Sequence, residues 1–100
     1  ETFFYVTARA VAPLAVLNEL ALPFIAIGGT FFPMKAKDTE TEIAHSLSGI
    51  IRLGGKYKKI NSFLLPSNEM RTIIEIEKEK LTPKKYPRQF GEIKNHPLIS

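Results

Sequence analysis

The fold turns on Phe3–Lys35, FFYVTARAVAPLAVLNELALPFIAIGGTFFPMK. Phe3 to Ala10 is aromatic and β-branched at first and reads as a buried strand. Pro13 suits the first turn of a helix, where its missing N–H leaves nothing unpaired. Leu14, Leu17, Ala21 and Phe24 then recur at helical spacing and give that helix an apolar face. Pro23 is expected to kink or end it, and Gly28-Gly29 to supply the stop. Thr30 to Lys35 reads as a second strand, with Pro33 marking an edge or a bulge because it cannot donate to a ladder. Ala10 to Ile27 is almost long enough to cross a bilayer, which takes about 20 residues. Asn18 and Glu19 interrupt it, and Pro13 and Pro23 flank them, so a helix buried in an α/β protein is the reading.

Downstream, Asp38 or Thr39 is placed to cap a second helix, and Thr39-x-x-Glu42 has the capping-box spacing. Ile43, Leu47, Ile50 and Ile51 form an amphipathic stripe, and Gly54-Gly55 should end the helix. Tyr57 to Leu65 and Arg71 to Glu77 read as strands joined by a turn at Pro66–Glu69, short enough for a hairpin. The order β-α-β-α-β-β implies a parallel sheet with right-handed crossovers, closed by an antiparallel hairpin. This is the second half of a Rossmann-like α/β sheet. The first strand is as apolar as a central one, so the chain is expected to be partial and, alone, to self-associate through an uncovered edge. Residues 1–81 are taken as the sheet domain and 82–100 as a basic, proline-containing tail.

The chain has 100 residues, 44% hydrophobic and 24% charged, with no cysteine. That is one soluble domain or part of one, with no disulfides, and it fits a reducing compartment such as the cytoplasm. No basic n-region with a small-residue cleavage site stands at the start, so no signal peptide is expected. The net charge is +4, and residues 82–100 carry +3 of it through Lys84, Lys85, Arg88 and Lys94 against Glu92. TPKKYPR, Thr82–Arg88, sets three cations and a tyrosine around two prolines. It reads either as a stiffened arm lying on phosphate, with Tyr86 stacking on a base, or as a tail whose tyrosine packs back on the sheet.

Chemistry-bearing motifs are few. There is no G-x-G-x-x-G and no P-loop. His45 and His96 lack ligand-spaced partners, so no metal site is expected. Ser46 and Ser48 have no base and orienter that the sequence can show. Arg9 stands at the carboxyl end of the first strand, where open α/β sheets bind ligands. It can hold a carboxylate or phosphate bidentately, or pair with a nearby acid to close the strand–helix turn. Lys35 ends the second strand with the same two readings.

Together these motifs resemble the bacterial small-subunit (16S) rRNA guanine-N7 methyltransferases, also called glucose-inhibited division protein B. Members carry an ARAVAPL-type segment, here Ala8–Leu14, then a GG pair. A strand ending ALKG follows, here Pro33-Met34-Lys35-Ala36, then LGG, here Leu53–Gly55. An arginine precedes an apolar strand, here Arg71–Ile74. Many end TPKKYPRxxGxxxxxPL, matched by Thr82–Arg88, Gly91, Pro97 and Leu98. Pro33-Met34 and Ala36 depart from the family's Ala-Leu and Gly.

The resemblance implies the C-terminal half of a class I S-adenosyl-L-methionine-dependent methyltransferase fold. It implies methylation of a guanine N7 in 16S rRNA of the small ribosomal subunit, with S-adenosyl-L-methionine as cofactor. Arg9 is then the cofactor contact. Lys35, Lys84, Lys85, Tyr86 and Arg88 are the expected RNA contacts, and no catalytic residue is assigned. The family's glycine-rich methyl-donor loop has no counterpart in these 100 residues, so the chain alone is expected to be inactive. The alternative is a non-catalytic, basic α/β module that binds RNA or the ribosome.

Overall fold

A computed structural model of the chain describes residues 3–9, 13–35 and 40–99. The expected caps Asp38 and Thr39, and Ala10 and Ala36, lie outside them. In chain order the elements are β1 (Phe3–Arg9), α1 (Leu14–Ala21), a 3₁₀ turn (Leu22–Phe24) and β2 (Ile25–Lys35). Then come α2 (Glu40–Arg52), β3 (Gly55–Leu64), β4 (Met70–Lys78) and α3 (Phe90–Asn95). The sheet order is β1-β2-β4-β3. β1 and β2 are parallel, and β4 returns antiparallel between β2 and β3. This is the expected mixed sheet, consistent with part of a Rossmann-like methyltransferase fold.

Several sequence expectations change. Gly28-Gly29 does not stop a helix: Pro23 has already ended α1, and the pair lies inside β2. Gly28 takes φ +90° and the β1–β2 register shifts there, with Phe3 opposite Ile25 but Tyr5 opposite Thr30. A Cβ on Gly29 would stand 2.3 Å from the Phe4 carbonyl oxygen, so the glycines admit a bulge and a close approach of β1. Pro33 lies in an interior strand, not at an edge; the β2–β4 ladder has no pairing at Phe32 and Pro33, which accommodates the missing donor. β1 itself is an edge strand and is not buried: Phe3, Phe4 and Tyr5 are 57%, 49% and 66% exposed.

The glycines after α2 do end it. Gly54 takes φ +90°, and its N–H reaches the Ile51 carbonyl. The hairpin turn closes on Asn68 in the left-handed region, where the Leu65 N–H donates to the Glu69 carbonyl and the Asn68 N–H to the Leu65 carbonyl. α1 and α2 pack side by side and cover one face of the sheet. Leu14, Leu17 and Leu22 from the α1 region, Ile43, Ile50 and Leu53 from the α2 region, and Ile25, Phe31, Ile74 and Ile76 from the strands form the core. The stripe expected on α2 is rotated. Ile43 and Ile50 are buried, whereas Leu47 and Ile51 are exposed, and Ser46 takes the inner position with its hydroxyl donating to the Glu42 carbonyl. Among the described residues no helix is long and apolar enough to cross a membrane.

Candidate functional site

Strand polarity gives the molecule two chemically distinct ends. β1 and β2 finish together at Arg9 and Lys35, with Arg9 paired in register with Met34. Lys35 Nζ lies 3.0 Å from Glu42 Oε1 and donates to Oε2 at 3.1 Å. Glu42 Oε2 also accepts the Leu14 N–H, one of the four donors that the start of α1 leaves unpaired. One carboxylate therefore ties together the end of β2 and the starts of both helices. Lys35, expected as an RNA contact, is committed to this bridge and its side chain is only 14% exposed. Arg9 differs: it is exposed and, among the described residues, no acidic group pairs with it. Of the two readings of Arg9, the internal ion pair is the one the described residues do not supply.

The tail leaves β4 at the opposite end and folds back on the body. The Thr82 hydroxyl donates to the Leu53 carbonyl. Tyr86 is 8% exposed and belongs to the core, and Ile93 of α3 is 1% exposed. Arg88 grips Glu19, which α1 holds fully buried. Nη2 donates to Oε1 at 2.7 Å, and Nε and the backbone N–H each donate to Oε2 at 2.9 Å. Nη2 also caps the His96 carbonyl, and Nη1 lies 3.5 Å from Glu92. Burial opposes ionisation of Glu19, but the hydrogen bonds and charge of Arg88 outweigh it and hold the carboxyl below its ordinary range. The same hydrogen bonds, above all, raise Arg88.

The free-arm reading of TPKKYPR is thereby corrected. Tyr86 has no open face for a base because its ring fills the core, and Arg88 neutralises a buried carboxylate. Of the tail residues expected to meet RNA, Lys84 and Lys85 remain exposed, Lys85 with its ammonium 5.3 Å from the Tyr86 ring centre. Sequence reading treated Glu19 only as an interruption of an apolar run. Its charge was the available signal, but nothing in the sequence names a partner sixty-nine positions away. Lys78 was missed altogether: fully buried at the end of β4, its ammonium donates to the Leu22 and Ile25 carbonyls at 2.7 and 2.8 Å and ties down the start of β2.

The expected site residues thus do not converge. Arg9 and Lys35 sit at the carboxyl end of the parallel strands, and Lys84 and Lys85 follow the amino end. An 11-residue strand such as β2 separates those ends by about 33 Å.

No protein-family model matches the chain. It is 50% identical over 99 residues to ribosomal RNA small subunit methyltransferase G of Levilactobacillus brevis, a match covering 98% of this chain and 41% of that protein. The proteins of the same name from Macrococcus caseolyticus and Lactococcus lactis subsp. cremoris are 46% and 44% identical. They cover 99% and 97% of the chain, and 42% and 41% of their own lengths are matched. The chain matches the C-terminal part of ribosomal RNA small subunit methyltransferase G. It spans about two-fifths of the length of these curated relatives. The resemblance read from the ARAVAPL and TPKKYPR segments and the similarity to the methyltransferase G proteins agree on the family.

Proposed function

We propose that this chain is the C-terminal portion of an S-adenosyl-L-methionine-dependent methyltransferase that modifies a guanine N7 in 16S rRNA, acting in the cytoplasm on the small ribosomal subunit. The similarity to methyltransferase G along nearly the whole chain carries the reading. The carboxyl end of β1 and β2 supports it. Arg9 offers an exposed guanidinium with no acidic partner among the described residues, and its charge and fork geometry suit the donor's carboxylate. When bound, the donor supplies an electrophilic methyl group on a sulfonium.

On this reading Arg9 holds the donor's carboxylate, while the Lys35–Glu42 bridge fixes the strand end and helix starts around it. Guanine N7 presents a lone pair and needs no proton removed. The segment therefore needs no general base, and positioning is its main contribution. The chain alone, without a glycine-rich donor loop, is expected not to turn over.

The test is donor binding by calorimetry to the longer protein containing this segment, compared with its Arg9→Ala variant. Losing a charge-assisted hydrogen bond costs about 1.5–3 kcal/mol, so affinity should fall about 10- to 150-fold. Unchanged affinity would remove Arg9 from the site. A protein that binds rRNA but takes up no donor would favour the non-catalytic RNA-binding module instead.

A further inference from the structure

The exposed cations are unevenly placed. Arg52 ends α2, Lys56 opens β3, Lys80 follows β4, and Lys84 and Lys85 stand in the turn near the start of the tail. All five are exposed and belong to the amino end of the sheet. Lys56 and Lys80 line one groove with Gly54 and Gly55. The Thr82–Leu53 hydrogen bond brings the tail to the residue beside Arg52. Two acids stand beside this set: Glu79, 3.9 Å from Lys56 in a contact open to solvent, and Glu77, opposite Lys56 in register and balanced by Lys58 at 3.6 Å. Five cations and the Glu79 carboxylate give +4, the whole net charge of the chain, so every other charged residue balances out.

The mounting is rigid. The Gly54 carbonyl accepts the N–H groups of Glu79 and Lys80 at 2.7 and 2.9 Å. A Cβ on Gly54 would stand 2.2 Å from the Lys80 carbonyl oxygen. Buried Tyr86, anchored through the Pro83 carbonyl, fixes the backbone that carries Lys84 and Lys85. Cations on a fixed frame lose less entropy on binding than cations on a loose tail.

We propose that this end of the molecule is an anchor for the RNA phosphate backbone, separate from the carboxyl end that bears Arg9. Its occupant is duplex RNA held through phosphates without base readout; naming RNA as the polyanion rests on the rRNA methyltransferase reading. The two ends stand about 33 Å apart along β2, so one substrate helix laid along the molecule reaches both.

The test is binding of the longer protein containing this segment to a duplex RNA hairpin of unrelated sequence, about 20 base pairs long, across a salt series. Each neutralised phosphate contributes about 0.9 to the slope of log K against log salt, so the patch contributes about −4 to that slope. The variant Arg52→Gln/Lys80→Gln/Lys84→Gln/Lys85→Gln changes only exposed groups and should keep the circular dichroism spectrum while losing about 3–4 of that slope. Lys59→Gln, outside the patch, should lose no more than about 1. A wild-type slope in the patch variant, no RNA binding by the parent protein at low salt, or binding to phosphatidylserine vesicles but not to RNA each overturns the anchor. The assay reads no methyl transfer. A failed methyltransferase reading, seen as no donor uptake, is therefore distinct from a failed anchor.

Discussion

The buried pair of Glu19 and Arg88 shows how one residue's neighbours decide its role. In sequence, Arg88 is one of several tail cations; in the fold it is the counterion of a carboxylate with no access to water. Removing one partner of such a pair leaves a charge that the interior cannot solvate. Arg88→Ala should therefore cost about 3–5 kcal/mol in urea unfolding, whereas Lys84→Ala, at an exposed position, should stay within about 0.5 kcal/mol. The pair also sets a pH dependence. The folded carboxyl of Glu19 ionises below its ordinary value of 4.5, so the unfolded chain binds more protons in the window between the two. Stability from the pair is complete above that ordinary value and falls as pH drops through the folded value. Arg88→Met/Glu19→Met should flatten that acid limb of the stability curve. Arg9 and Lys35 were legible as strand-end cations, because an open α/β sheet places them. The roles of Lys78 and Arg88 were not, because each depends on a contact made across the fold, and for Tyr86 such a contact decides between the two readings.

Among the elements, the strands and two long helices follow from periodicity, and their ends follow from proline and glycine. The misreading of Gly28-Gly29 has a physical cause: a glycine pair means a helix stop or a close approach of strands, and only pairing decides which. Gly28-Gly29 is the second, because β1 lies against it. Gly29→Ala should push the β1–β2 bulge apart and lower stability by about 1–3 kcal/mol. Gly91, in α3, has open space where an added methyl would stand, with nothing within 4 Å, so Gly91→Ala should raise stability by about 0.4–1 kcal/mol. Chemical denaturation midpoints check both signs. α3 escaped sequence reading because at six residues it is too short for a periodic signal and follows a proline-rich stretch.

For the whole molecule, the uneven features are the charged amino end and the open edge at β1. Phe3, Tyr5, Val6, Leu17, Leu20 and Phe24 line an apolar groove between β1 and α1, beside an edge whose backbone groups have no strand outside them among the described residues. Natural edges are guarded by charge, and Phe3–Thr7 carries none. The isolated chain should associate with rising concentration in sedimentation velocity, and Tyr5→Lys should weaken that association; a wild-type chain that stays monomeric would show the edge is protected. The mixed α/β sheet was legible from the alternation of elements; the insertion of β4 between β2 and β3 was not. The separation of Arg9 from the tail cations was not, since it follows from the direction in which each strand runs.

The most direct test of the account is methyl transfer. The longer protein containing this segment would be incubated with labelled S-adenosyl-L-methionine and small-subunit rRNA, and the modified base identified by mass spectrometry. N7-methylguanine is expected with the wild-type protein and far less with Arg9→Ala. No label in rRNA, or label on another base, would refute the methyltransferase reading.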